Sequence, residues 1–196
     1  MKHNNIMKFL ADPSKLAAKF DWKRKAGSIL ALDVGKDKIG LAVASHPESG
    51  ESALALDPMP LMLVTRTGNR KVLDESVIQE LQDVVETFNV CGFVVSWPLQ
   101  KEGRCGAPCG KVLHTLDCLV EESSSIVNQN RPFCLWDDHH YLPGEDRASE
   151  EQYVHKCSSS IAVDVWNDYC SKHWPQLCDD EEQLDEIWDI PRNTYS

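Results

Sequence analysis

Ser28-Ile29-Leu30-Ala31-Leu32-Asp33-Val34-Gly35-Lys36-Asp37-Lys38-Ile39-Gly40-Leu41-Ala42-Val43-Ala44 is the stretch on which the fold turns. An apolar run delivers one carboxylate, Asp33, near its end. A glycine-and-lysine turn follows, then a second apolar run. Two such runs flanking turn residues read as a β-hairpin. A lone carboxylate at the end of an apolar strand is costly to bury unless a cation or hydrogen bonds compensate it. Asp33 is therefore either a hydrogen-bonded turn residue, for which Asp-x-Gly is well suited, or a metal ligand.

Downstream, a polar, proline-bearing stretch (45–60) precedes the short apolar run Leu61–Val64. Val77, Ile78, Leu81, Val84, Val85 and Phe88 recur at helical spacing and predict a helix over about 72–89. Cys91–Ser96 reads as a buried strand that stops at Trp97-Pro98, because proline cannot continue a central strand. A loop rich in Gly, Lys, Arg and Pro (99–110) leads to a helix face at Val112, Leu113, Leu116, Leu119 and Val120. Phe133–Trp136 reads as a further strand that delivers Asp137 and Asp138. Residues 145–155 suit a polar helix, and Ile161, Ala162, Val165 and Tyr169 give the last helix its core side.

Strand–helix alternation after an opening hairpin implies an α/β domain, a mixed sheet with helices packed on it. Asp33 and Asp137 or Asp138 fall at strand ends, where sites of open α/β sheets form.

The chain has 196 residues, enough for one α/β domain with extensions. Its hydrophobic (42%) and charged (26%) fractions are ordinary for a globular protein. No apolar run approaches the ~20 residues that span a bilayer, so no membrane insertion is expected. The formal net charge of -11 argues against broad charge-driven adhesion to nucleic acid. The charge is unevenly spread, however: residues 1–27 are basic, and the segment from Asp179 to Asp189 is strongly acidic. The acidic tail reads first as a solvated segment and second as an interaction tail for a protein partner.

The eight cysteines contain no Cys-x-x-Cys pair. Cys105 and Cys109 share a loop with no second ligand pair such as His-x3-His nearby, so zinc is disfavoured although His139 and His140 are possible ligands. Reduced thiols and an intracellular setting, cytoplasmic or organellar rather than secreted, are the expectation.

Four motifs then stand in order: Asp33-Val34-Gly35-Lys36 with Ile39-Gly40-Leu41-Ala42; Ser96-Trp97-Pro98 with Gly103; Asp137-Asp138-His139; and Lys156-Cys157-Ser158 leading to Asn167-Asp168-Tyr169. Together they resemble the YqgF/RuvX family over about residues 28–171. The resemblance implies a ribonuclease H-like fold with a mixed five-stranded sheet, related to Holliday-junction resolvases. The basic segment 1–27 and the acidic tail 172–196 lie outside it.

It further implies metal-dependent phosphodiester hydrolysis in processing small-subunit precursor rRNA, with Asp33, Asp137 and Asp138 as catalytic acids. Mg2+ or Mn2+ would be held by Asp33 and Asp138, and Lys36, Lys38, Lys101 and Arg104 would contact phosphate. Solvated turn charge is the plainer reading of those four cations. The substrate would be pre-rRNA or another structured nucleic acid.

The sequence departs from the family pattern where it matters. Ser158 stands in place of the usual final acid and His139 in place of an arginine. A neutral serine removes one fixed metal ligand. Asp164 and Asp168 lie on the same helix but not on the face of Ser158. The alternative is a catalytically inactive ribonuclease H-fold protein that binds RNA or a protein partner. An actin-like ATPase fold, which also uses Asp-x-Gly, is disfavoured because no second phosphate loop is present. Trp97, Trp136, Trp166, Trp174 and Trp188 read as packing residues, with base stacking the alternative for the first two. His114 reads as a helix-surface residue.

Overall fold

In a computed structural model, residues 6–19, 27–66, 68–100, 103–123, 125–137 and 158–177 are described. The expected polar helix over 145–155, the acidic segment from Asp179, and Lys101, Asp138, His139, His140 and Trp188 fall outside those residues.

In chain order the elements are α1 (Pro13–Lys19), β1 (Ser28–Val34), β2 (Lys38–Ala44), β3 (Leu54–Ala55), β4 (Met59–Pro60), β5 (Leu63–Arg66), β6 (Arg70–Leu73), α2 (Glu75–Thr87), β7 (Val90–Trp97), α3 (Ala107–Glu122), β8 (Phe133–Asp137) and α4 (Ser158–His173). The opening stretch is the expected hairpin: β1 and β2 pair antiparallel from Ile29↔Ala44 to Val34↔Ile39. On its other edge β1 runs parallel to β7, and β7 runs parallel to β8. The strand order is β3-β2-β1-β7-β8, with β4 also on the edge of β2. There are thus five positions across the sheet, filled by six strands because the outer one is broken in two. This is the mixed α/β sheet that the sequence implies.

The period of two along each strand divides the interior into two layers. Leu30, Leu32, Val34, Ile39, Leu41, Val43, Phe93 and Val95 face α2 and α3, where Val77, Leu81, Val112 and Leu116 complete one core. Ile29, Ala31, Ala42, Ala44, Val94 and Cys134 face α4, under Ile161, Ala162, Val165, Trp166 and Tyr169.

Local chemistry explains the element ends. Asp74 caps α2, its Oδ1 accepting from the Ser76 N–H (2.9 Å) and hydroxyl (2.6 Å). Those two hydrogen bonds hold the Asp74 carboxyl below the usual carboxylate range. α2 therefore starts at Glu75 rather than near 72. Val72 and Leu73 belong instead to β6, which pairs with β5 as a separate hairpin. Arg66 and Arg70 tie that hairpin to Glu122 and Glu121 at the end of α3.

The N-terminal segment, expected to lie outside the domain, packs onto it in its described part. The Ala11 N–H donates to the Phe133 carbonyl (2.7 Å), and the Phe133 N–H donates to that of Phe9 (3.0 Å), so residues 9–11 extend the sheet beyond β8. Leu16 of α1 is fully buried in the α4 layer. The Tyr169 hydroxyl donates to the Pro13 carbonyl (2.8 Å), closing α1 onto α4. The last helix runs to His173, two residues past the expected domain end at 171.

Candidate functional site

Asp33 is the next-to-last residue of β1 and is 2% exposed. Alternation puts it on the α4 side, in line with Ile29 and Ala31. Its partner across the hairpin is Gly40, which adds no side chain beside it. Leu32 pairs with Val95, so continuing that register by one residue sets Asp33 beside Ser96, which is fully buried. Ser96 in turn pairs with Trp136.

The start of α4 arrives at the same place. The Leu41 N–H, one residue from Gly40, donates to Ser159 Oγ (3.2 Å). Ser159 is itself 1% exposed, and the first turn of α4 carries no acidic residue. Ser158 is the first residue of that turn. A buried carboxylate, two buried hydroxyls and a helix start therefore gather at one end of the central strands.

Asp137 does not join them. It pairs with Trp97, whose side chain packs into the α2/α3 layer, so the pleat directs Asp137 to the face opposite Asp33. It is also exposed. The sequence left Asp137 or Asp138 as the second acid, and the register sets Asp137 on the other face: a shared sheet end does not imply a shared face. Asp138 lies outside the described residues. Asp168, farther along α4, accepts the Trp136 Nε1–H at 2.8 Å.

Among the described residues, no three His, Cys, Asp or Glu side chains converge as a metal site would require. Of the two expected Mg2+ or Mn2+ ligands, Asp33 is among the described residues and Asp138 is outside them.

Cations line the same end of the sheet. Lys36 and Lys38 are exposed on the β1–β2 turn, which the Gly35 N–H closes by donating to the Lys38 carbonyl (2.9 Å). Arg104 is exposed on the loop after β7. Gly103 takes φ +72 in that loop, a conformation few other residues adopt, which accounts for the glycine of the second motif.

Sequence reasoning missed Lys111. Its ammonium, on the first turns of α3, donates to the Lys36 carbonyl and pins the β1–β2 turn to that helix. Burial is the main cause that lowers its pKa; Asp37 opposes the shift and Lys36 adds to it. No local pattern marks Lys111, because the contact joins residues 75 apart in the chain. Lys111 belongs to the helix across the sheet from α4, so it rims the strand end rather than facing Asp33.

The remaining residues pack. Trp97 lies against the α2/α3 core and Trp174 against the α4 layer, where Trp166 is buried. Trp136 stands edge-on to Tyr169 at 5.1 Å. His114 contacts Cys118 one helical turn away. Among the described residues, Cys105, Cys109, Cys118 and Cys134 are free thiols.

No family model matches the chain. It is 29% identical over 100 residues to a protein of Rickettsia akari (strain Hartford) named "Putative pre-16S rRNA nuclease", a match over 51% of this chain and 54% of that one. The chain thus spans about half the length of this relative. A protein of the same name from Clostridium botulinum (strain Eklund 17B / Type B) is 26% identical over 153 residues, covering 74% of this chain and 98% of that one. Among solved structures, Thermus thermophilus RuvC in complex with a Holliday junction substrate overlaps 76% of this chain and 96% of its own, at 12% identity and a TM-score of 0.37. The chain is thus similar at low identity to curated proteins named "Putative pre-16S rRNA nuclease", in keeping with the YqgF/RuvX resemblance of its four motifs.

Proposed function

We propose that the chain acts on structured nucleic acid, with precursor small-subunit rRNA as the substrate class, through metal-dependent phosphodiester hydrolysis. The observation that carries this reading is Asp33, a carboxylate retained at 2% exposure at the end of the central strand where α4 begins. A carboxylate buried this deeply calls for a cation or hydrogen bonds to compensate it, and a bound metal ion is one such cation. Asp33 and Asp138 would hold Mg2+ or Mn2+, which when bound supplies an activated water and offsets phosphate charge. Lys36, Lys38, Arg104 and Lys111 rim this end of the sheet and would position the phosphate backbone, with Lys101 from the same loop.

A specific observation favours a second reading, binding without cleavage. The first turn of α4 presents Ser158, Ser159 and Ser160 and no acid, and Ser159 is already engaged by the Leu41 amide. A site short of one acid holds a divalent ion weakly. A partner protein for the acidic tail belongs to this second reading.

Cleavage of structured and single-stranded RNA and DNA with Mg2+ or Mn2+, wild type beside Asp33→Asn, separates the two. Metal-dependent cutting that Asp33→Asn abolishes supports the nuclease. Absence of cutting with RNA affinity intact supports the binding protein. Absence of both cutting and affinity sinks the whole proposal.

A further inference from the structure

The loop between β7 and α3 carries two thiols that the proposed function does not use. Its backbone is tightly closed. The Gln100 N–H donates to the Arg104 carbonyl (3.0 Å), the Gly103 N–H to that of Gln100 (2.8 Å), and Leu99 bridges Cys105. Cys105 therefore sits at the base of a small hairpin, one residue before Gly106, which starts α3. Cys109 lies on the first turn of that helix.

The two sulfurs differ in setting. Cys105 is exposed and Cys109 is buried. The Cys109 thiol donates to the Pro98 carbonyl at 3.1 Å, at the point where β7 ends. Cys105 is bridged to Leu99 and the Cys109 sulfur reaches the adjacent Pro98, so the two residues flank the same short stretch of chain, and burial raises the Cys109 pKa. One sulfur is thus open to a solvent oxidant, and its neighbour is sheltered from direct attack yet within reach of the first.

We propose that Cys105 and Cys109 form a reversible dithiol–disulfide pair, oxidised by hydroperoxides, that locks the loop after β7 onto the first turn of α3. In the first step Cys105 loses its proton and the thiolate attacks the terminal oxygen of the hydroperoxide; the O–O bond breaks, Cys105 becomes a sulfenic acid, and the alkoxide (hydroxide from hydrogen peroxide) leaves and takes up a proton. Cys109 then attacks that sulfur. The S–S bond forms, the S–O bond breaks, and the Cys109 proton leaves with the hydroxyl as water. In sum, two thiols and one hydroperoxide become one disulfide, water and the reduced peroxide.

The pairing has a structural consequence. Oxidised Cys109 has no S–H left to donate to Pro98, so the clamp at the end of β7 is exchanged for a covalent one between loop and helix. Arg104, adjacent to Cys105, is held in place by the same bond. The inference does not require the chain to be a nuclease.

The test treats the full chain with hydrogen peroxide, then maps alkylated and linked peptides without reduction. The expected result is a Cys105–Cys109 link, loss of two hydrogens in mass, and recovery of both thiols with dithiothreitol, while buried Cys118 and Cys134 stay reduced. In Cys109→Ser, whose hydroxyl can still donate to Pro98, Cys105 is expected to stop at a sulfenic acid that dimedone traps. In Cys105→Ser, Cys109 is expected to stay reduced. Failure of both thiols to react, a link from Cys105 to any other cysteine, or over-oxidation of wild-type Cys105 beside a reduced Cys109 would each overturn the proposal.

Discussion

The two faces of the sheet are built for different purposes. Toward α2 and α3 it presents Leu, Ile, Val and Phe, and two helices complete a thick aliphatic layer. Toward α4 it presents Ala31, Ala42 and Ala44, and the bulk comes from the helix side, from Trp166 and Tyr169. Small strand residues let a helix lie close, so the Ser159 hydroxyl reaches a backbone amide of the sheet. The polar residues Asp33, Ser96 and Ser159 are buried on this thin face. The comparison teaches that the thick face is built for apolar burial, while the thin face gives up some of it to hold the buried polar groups on which the proposed site rests.

Substitutions on each face can break that division. On the thick face, Phe93→Ala deletes a ring with no exposed surface and should cost about 3–5 kcal/mol. Denaturant unfolding would show it, and a smaller loss would mean that this layer collapses around the cavity. On the thin face, Asp33→Asn should, on the proposed nuclease reading, reduce metal-dependent cleavage by about 100-fold or more, at or beyond the usual loss of an outer-shell metal partner. Its unfolding midpoint should hold or rise, since a buried charge is removed; a clear fall would recast Asp33 as a structural residue.

Ala42→Leu inserts volume under α4 and should cost about 1–3 kcal/mol by overpacking. Neutrality in the same unfolding assay would show that α4 is not held close to the sheet. Tyr169→Phe leaves the Pro13 carbonyl without its donor and should cost about 1 kcal/mol. Faster amide exchange in residues 9–16 is the local signature to look for.

The smallest effect is expected from pH. His173 lies among the rings of Trp136, Tyr169 and Trp174. Burial lowers its pKa, with Asp12 opposing. The unfolded chain therefore binds this proton more readily than the folded one, so its contribution is present above the ordinary histidine pKa and lost as pH falls through that range. Thermal midpoints measured from about pH 7.5 down to pH 5.5 should decline less in His173→Phe than in wild type. Equal slopes would remove His173 as the cause.

Much of this architecture was legible in the sequence, for definite reasons. The β1–β2 hairpin, the end of β7 at Pro98 and the core side of α4 rest on strong local patterns of period two or 3.6. Val72 and Leu73 misled because apolar residues beside a helix suit either element; the start signal was Asp74, a good N-cap. The N-terminal segment was read as an extension from its charge, although Leu16 is wholly buried. Charge counts on one face of so short a helix say nothing about the other.

For the site, the sequence alone determined that Asp33 would end a buried strand and that the residues opening α4 are serines rather than acids. It also determined the alternation of Trp136 and Asp137 along β8. Which of those two shares a face with Asp33 depends on how β7 aligns with its neighbours, and that register is set between strands, not within them. The meeting of Lys111 with the β1–β2 turn and of Ser159 with β2 was likewise decided only in the tertiary structure. Each joins residues far apart in the chain, and packing alone brings them together.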